Sequence, residues 1–364
     1  MNQWTRLVEK HRGLMTRYPY ILPRIAANYF KLVVLKKPVL RGVEFSVSND
    51  CNAACGHCSA WELMEAKGDV LDVATSARIL GECIELGALN INFTGGEALM
   101  RREIYDLIGA AQPDRVVVSL ATNGMMLSDD VVRRLKESGV RILSVGLDSA
   151  RPDVHDERKA RVGAYEKLIA GVKRAVSLDL EVYLCTVITR ENLANGDAWE
   201  MVELSRNLGC LLTVNIACSV GAWKDDQDQL LRQHEIRAYE RMLEVPHVRW
   251  EGGSNYLKEG CPAGIEKIYV TATGEVAPCP RAHVSFGNAR TEPMQAIWKR
   301  MLGEEAFGHV QPGCPAGDDP QFIQTYLEPI RESGQSFLPV DEIHRRNDVK
   351  STRLSLPVAP PGHA

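Results

Sequence analysis

Three cysteines stand within eight residues, Cys51, Cys55 and Cys58 in the run CNAACGHC, directly after a short β-branched stretch (VEFSVS, 43–48). Three thiolates on one loop can hold three irons of a cubane cluster and leave the fourth iron without a protein ligand. A structural zinc site asks for four ligands. His57 would make a Cys3His set, but it adjoins Cys58, and both reach one metal only with strain. The C-x3-C-x2-C spacing after a strand is far more specific than a lone CxxC. Cys261, Cys279 and Cys314 share its turn-like surroundings of Gly, Pro, Asn or Asp. Cys83, Cys185, Cys210 and Cys218 lie in apolar runs instead, where packing as small hydrophobes is the first expectation.

Such a loop needs elements to hold it. Apolar strand patterns at 43–48, 89–93, 115–120, 141–147, 181–188 and 211–218 alternate with helical patterns at 72–86, 100–111, 128–139, 163–178 and 196–208. Gly87, Gly139 and Gly209 stand where helix C-caps belong. The alternation predicts an α/β fold built on a parallel sheet, with functional groups at the C-terminal strand ends. It stops near residue 236. Residues 265–279 read as a hairpin around Thr273-Gly274, and a helix with Ile297 and Trp298 follows. The expected organisation is a basic aromatic segment (1–42), a core (43–235), a small α+β extension (236–335) and a partly disordered tail (336–364) ending in SLPVAPPGHA.

The chain has 364 residues, 43 basic against 47 acidic, and is 45% hydrophobic and 25% charged. These ordinary globular values give no reason to expect nucleic acid as a partner. No apolar run is long enough to span a membrane and the N-terminus lacks a secretory pattern, so a cytoplasmic, reducing setting is expected. Residues 1–42 carry nine Lys or Arg against Glu9, with Trp4, Tyr18, Tyr20, Tyr29 and Phe30 interleaved. Such a segment is either a solvated helix packing its aromatic side on the main domain, or a peripheral contact with an anionic membrane surface or a partner.

The cysteine loop resembles that of the radical SAM superfamily. There the open iron of a [4Fe–4S] cluster is chelated by S-adenosylmethionine. Reductive cleavage gives methionine and a 5′-deoxyadenosyl radical that abstracts a substrate hydrogen. The resemblance covers residues 43–220 and implies a partial (β/α)6 TIM-like barrel. Thr94-Gly95-Gly96-Glu97 matches the family's GGE motif: the glycines let the backbone approach the cofactor, and Glu97 accepts a hydrogen bond from its ammonium group. Thr122-Asn123-Gly124 is similar to the family's TNG segment near the cofactor. In SVGLDS the serine position that contacts the ribose in the family is Gly146, and Ser144, on the same strand face, is the candidate substitute. In VHDERKARVG, Lys159 or Arg158 corresponds to the basic residue that pairs with the cofactor carboxylate. A plain turn or a surface charge is the alternative at each of these positions.

The run from Cys261 through Gly274-x4-Cys279, GNAR and the Ile-Trp helix looks like a SPASM, or twitch, extension. The resemblance implies an auxiliary [4Fe–4S] cluster on Cys261, Cys279 and Cys314. No CxxC completes the set, because the position three after Cys314 is Gly317. Either an outside residue such as a spare cysteine serves as fourth ligand, or one iron is open to substrate. A zinc site using Cys261, Cys279, Cys314 and His283 is the other reading.

The resemblance implies a radical SAM enzyme of oxidoreductase, epimerase or lyase type, served by a flavodoxin or ferredoxin-type electron donor. A second cluster offers an electron sink for oxidation. Hydrogen return from a thiol would instead give epimerisation, and Cys185 and Cys218, near strand ends, are the candidates, with buried packing as the alternative. The expected substrate is a small polar molecule, such as a sugar-like or natural-product precursor. A ribosomal peptide and a lipid-linked molecule are the alternatives, and 42 residues are too few for an independent leader-recognition fold. A non-catalytic iron–sulfur or zinc scaffold is opposed by the intact Cys51, Cys55, Cys58 and Glu97.

Overall fold

Side-chain alternation along each strand decides which face meets helices and which meets the interior. In β5 (Glu181–Ile188), Val182, Leu184, Thr186 and Ile188 are buried beneath helices, while Tyr183, Cys185 and Val187 are partly exposed to a central cavity. The same alternation in β2 (Asn90–Thr94) sends Asn90, Asn92 and Thr94 inward and buries Ile91 and Phe93. The computed structural model describes residues 16–64, 68–226, 228–253, 255–257 and 259–355. Among these, nine strands form one sheet in the order β7-β6-β5-β4-β3-β2-β1-β8-β9. The others are β1 (Gly42–Ser46), β3 (Val117–Thr122), β4 (Val140–Gly146), β6 (Leu211–Ile216), β7 (Val248–Trp250), β8 (Lys267–Val270) and β9 (Val276–Ala277). Strands β1 to β7 run parallel in sequence order, with helices 73–85, 104–110, 129–138, 164–177 and 197–207 as crossovers. This is the partial TIM-like barrel of an α/β fold.

Local chemistry sets the crossovers. Asp72 accepts from Thr75 N at 2.7 Å to cap the helix at 73–85, and Ser128 caps 129–138 in the same way. Gly139 closes that helix at φ 106°, a left-handed conformation that favours glycine.

Three expectations need correction. The strand–helix alternation does not stop at 236: helix Gln233–Leu243 leads to β7, which pairs in parallel with β6. A three-residue strand with exposed Arg249 at its centre carries too short a pattern to read. The hairpin does not stand apart either, since β8 pairs in parallel with β1 and carries β9 antiparallel on its far side. Finally, residues 338–355 are not a tail. Leu338–Pro339 pairs with Val284–Ser285, and helix Val340–Ser355 buries Val340 and Ile343 in the main core. The Pro-rich end beyond 355 lies outside the described residues.

The N-terminal segment covers the N-terminal strand ends. Tyr18, Ile21 and Ile25 pack with Leu89, Val117, Ile142 and Tyr256. Tyr18 Oη donates to Glu181 at 2.9 Å, and Arg17 pairs with the same carboxylate at 3.0 Å. This is the packing reading of the aromatic residues from Tyr18 onward; Trp4, Arg6, Lys10 and Arg12 lie outside the described residues. Among the described residues no helix is long and apolar enough to cross a membrane.

Candidate active site

The loop after β1 is held by the C-terminal ends of neighbouring strands. Gly96 N donates to Ser48 O at 2.9 Å and Glu97 N to Asp50 O at 2.7 Å. A Cβ on Gly96 would lie 2.3 Å from Asp50 O, so this approach requires glycine. Asn123 Nδ2 donates to Asn52 Oδ1 at 2.6 Å, Ala54 N to Lys159 O at 3.2 Å, and Ala222 N to Cys58 O at 2.9 Å. The GGE turn, the TNG turn, the helix end at Lys159 and the segment after β6 thus all grip the cysteine loop.

Cys51, Cys55 and Cys58 face a cavity of about 1710 Å³ that runs through the barrel. Burial pushes the Cys55 thiol up to about 11 against the pull of Lys159, and raises Cys58 as well. Both are thiols until a metal displaces the proton. Three sulfurs on one loop beside a large open volume fit a cubane cluster with one iron free of protein. Cys55, His57 and Asp148 do bring ligand atoms within 4.8 Å of one another, as a single ion would want. However, Lys159 Nζ lies 2.9 Å from Asp148 and occupies the place of a cation.

Asp148, two residues after Gly146, is the electrostatic centre of this wall. Burial pushes its carboxyl up, but the Lys159 ammonium and His57 Nε2, at 3.2 Å, outweigh that and hold it well below the usual carboxylate range. Burial lowers Lys159, yet Asp148 and the neighbouring cysteines raise it further, so it stays charged. Its ammonium lies against Gly146: a Cβ there would come within 3.3 Å of Nζ. Arg158 turns outward to Glu191 at 3.1 Å, so that of these two neighbours Lys159 is the one on the cavity. His155, pushed down to about 4 by burial, is neutral, and its Nδ1 accepts from Asp148 N.

Gly95, Gly96, Thr122, Asn123 and Ser144 line the cavity. Glu97 is not among the residues that line it. Its Oε2 accepts from Asn123 N at 2.8 Å and Thr122 Oγ1 at 3.0 Å, and its Oε1 accepts from Leu99 N at 3.1 Å. At 1% exposure the carboxylate ties the GGE turn to the TNG turn behind the cavity wall.

A second group of cysteines reaches the same cavity through Cys218. Cys279 and Cys314 act electrostatically on both Cys261 and Cys218, and Cys261 pairs through its backbone with Gln311, three residues before Cys314. His283 is not among them. Its Nε2 meets Pro280 O at 3.0 Å and its ring packs on Phe337, which removes it from the zinc set considered above. Cys185 faces the lumen from the middle of β5, where burial pushes its thiol up to about 12, whereas Cys218 sits against Cys314.

Four charged side chains link this group to the lumen. Lys267 bridges Glu44 and Glu251, the latter at 2.6 Å, and Arg281 reaches Glu251 at 3.1 Å. Burial raises the Glu44 carboxyl, while the two cations hold Glu251 ionised against its burial. Sequence reasoning missed all four. The available signal was an ionisable residue in an apolar strand, Glu44 within VEFSVS and Lys267 before IYV.

Residues 45–205 match the family model of the radical SAM superfamily, and residues 261–314 match that of the SPASM iron–sulfur cluster-binding domain. The AdoMet-dependent heme synthase of Oleidesulfovibrio alaskensis is 26% identical over 296 residues, covering 72% of this chain and 75% of the relative. The mycofactocin maturase MftC of Mycobacterium tuberculosis is 26% identical over 357 residues, covering 85% of this chain and 90% of the relative. In fold, the chain is similar to Streptococcus suis SuiB bound to its precursor peptide SuiA, with a TM-score of 0.59 at 16% identity over 82% of this chain and 69% of that one.

Proposed function

Since the chain is a radical SAM enzyme with a C-terminal SPASM extension, we propose that it oxidises a polar substrate by two electrons, at a carbon bearing an O–H or N–H group, inside the barrel. In this reading Cys51, Cys55 and Cys58 hold the [4Fe–4S] cluster that binds S-adenosylmethionine, and Cys261, Cys279 and Cys314 belong to the auxiliary cluster. When bound, the first cluster with S-adenosylmethionine supplies a 5′-deoxyadenosyl radical, and the second supplies an acceptor for one electron. Gly95 and Gly96 offer backbone at close approach, and Thr122, Asn123 and Ser144 offer hydrogen bonds to the cofactor. The Lys159 ammonium faces the same volume as a counter-charge for a carboxylate. Glu44, whose carboxyl is raised by burial, takes the proton of the substrate O–H or N–H. The substrate thus gives up one hydrogen atom, one proton and one electron.

The observation that carries this reading is a single cavity lined both by Cys51, Cys55 and Cys58 and by Cys218 and Arg281, with the Glu44–Lys267–Glu251–Arg281 chain along it. A small polar molecule suits the inward Asn92, Thr213 and Asn215. A second reading, a peptide that presents the reacting group, is favoured by the likeness to SuiB, whose structure holds its precursor peptide. A cytoplasmic setting and a flavodoxin or ferredoxin-type donor belong to both.

The test is anaerobic incubation of reconstituted enzyme with reductant, S-adenosylmethionine and separate small-molecule and peptide fractions of a deuterated extract. Deuterium entering 5′-deoxyadenosine identifies the fraction that holds the substrate. Cys55→Ala is expected to abolish 5′-deoxyadenosine, and Cys279→Ala to keep it while losing the oxidised product. Full product from Cys279→Ala would exclude the electron-sink role.

A further inference from the structure

Resting on the reading of Cys261, Cys279 and Cys314 as cluster ligands, we propose that Cys218, two residues past the end of β6, is the fourth thiolate of the auxiliary cluster. All of its irons are then held by protein sulfur and none is open to substrate. Its part in the reaction is electron transfer rather than substrate ligation.

Cys218 Sγ lies 3.8 Å from Cys314 Sγ although 96 residues separate them in sequence. Gly317 makes this approach possible. A Cβ at 317 would lie 3.1 Å from Cys218 Sγ and 3.0 Å from Ala217 O. Position 317 is where a CxxC beginning at Cys314 would place its second cysteine. The sulfur missing there in sequence arrives instead from the barrel and takes up the space that a side chain would need.

Charge supports the assignment. Arg281 is fixed by Glu251 at 3.1 Å and acts electrostatically on Cys218, Cys279 and Cys314. A cluster with four thiolates is a net anion in a buried site, and such an anion needs a paired cation. Packing alone does not account for Cys218. Cys83 shows what a packing cysteine looks like in this protein: fully buried in the apolar core, with no cysteine among the groups that act on it.

The test uses the full chain with Cys51, Cys55 and Cys58 all changed to Ala, reconstituted anaerobically with iron-57 and sulfide. About four irons per chain are expected. Adding Cys218→Ser is expected to cut this at least fourfold or leave a three-iron Mössbauer spectrum, whereas Cys210→Ala should retain the parent content. Four irons with an unchanged spectrum in the Cys218→Ser protein would overturn the proposal and leave the second cluster standing. No iron in the triple-Ala parent would overturn both.

A second measurement uses the native sequence and decides the matter if Cys218→Ser does not fold. Cluster-free protein oxidised with diamide should give a Cys218–Cys314 disulfide on peptide mapping, since the sulfurs need only close to ~2.05 Å. The loaded protein should give none. Failure to form this link in the cluster-free protein, or equal formation in the loaded one, would overturn the assignment.

Discussion

Replacing Asp148 with Asn tests the electrostatics of the cysteine wall, because it removes one charge and almost no volume. Asp148 Oδ2 is 2.9 Å from Lys159 Nζ, and both residues are under a tenth exposed. Removing one partner of a buried pair typically costs about 3–5 kcal/mol, because the other charge is left without compensation. Proton release sets a ceiling on this cost. Lys159 can shed its proton at about 1.36 kcal/mol per pH unit below a reference of ~10.4, or about 4.6 kcal/mol at pH 7 and about 2.6 kcal/mol at pH 8.5. In the wild type, Asp148 is held low and Lys159 high, so both stay charged across this range and their contribution is flat. In the variant the folded-state pKa of Lys159 falls below its unfolded value, the folded form binds fewer protons, and stability rises with pH. The deficit should therefore be about 3–5 kcal/mol at pH 7 and shrink by up to about 2 kcal/mol by pH 8.5. Urea unfolding of the cluster-free protein, followed by tryptophan fluorescence, measures both values; the Trp223 ring lies 5.7 Å from that of His57, tilted by 47°, and reports on this region. A loss under about 1 kcal/mol at pH 7, or one that does not change with pH, would mean that Lys159 is not held by Asp148.

Other perturbations probe the neighbouring joints. Gly96→Ala drives a Cβ to 2.3 Å from Asp50 O, so the cysteine loop must move, and iron bound at the first site should fall several-fold with little change in far-UV circular dichroism. Glu97→Gln replaces the acceptor for Thr122 Oγ1 and Asn123 N. It should cost about 1–3 kcal/mol, read as a lower melting temperature, and keep measurable 5′-deoxyadenosine formation; abolished cleavage at an unchanged melting temperature would mean that the carboxylate contacts the cofactor directly. Ile343→Ala empties a fully buried position in the helix at 340–355. It should destabilise the fold by about 2–5 kcal/mol in denaturant unfolding, and a neutral result would mean that the helix contributes nothing to the core.

Much of the barrel was legible because its signals are local. Cys51, Cys55 and Cys58 share one loop, so their spacing alone states a shared metal site. The helical patterns at 72–86 and 128–139 return as helices at 73–85 and 129–138, and the period-two burial of β5 is written in its own eight residues. Contacts made by closing the barrel were not legible. β8 joins β1 across more than two hundred residues, and that pairing alone sets Lys267 beside Glu44. Glu97 stands in a recognisable motif, yet its direction depends on the Thr122–Asn123 turn of the next strand. Cys218 reads as one more apolar-run cysteine until strand order brings the end of β6 against Gly317. Residue type and short spacing thus determine which chemistry this chain can carry. Strand register and the closing of the sheet decide which charges and sulfurs meet, because those distances belong to no local stretch of chain.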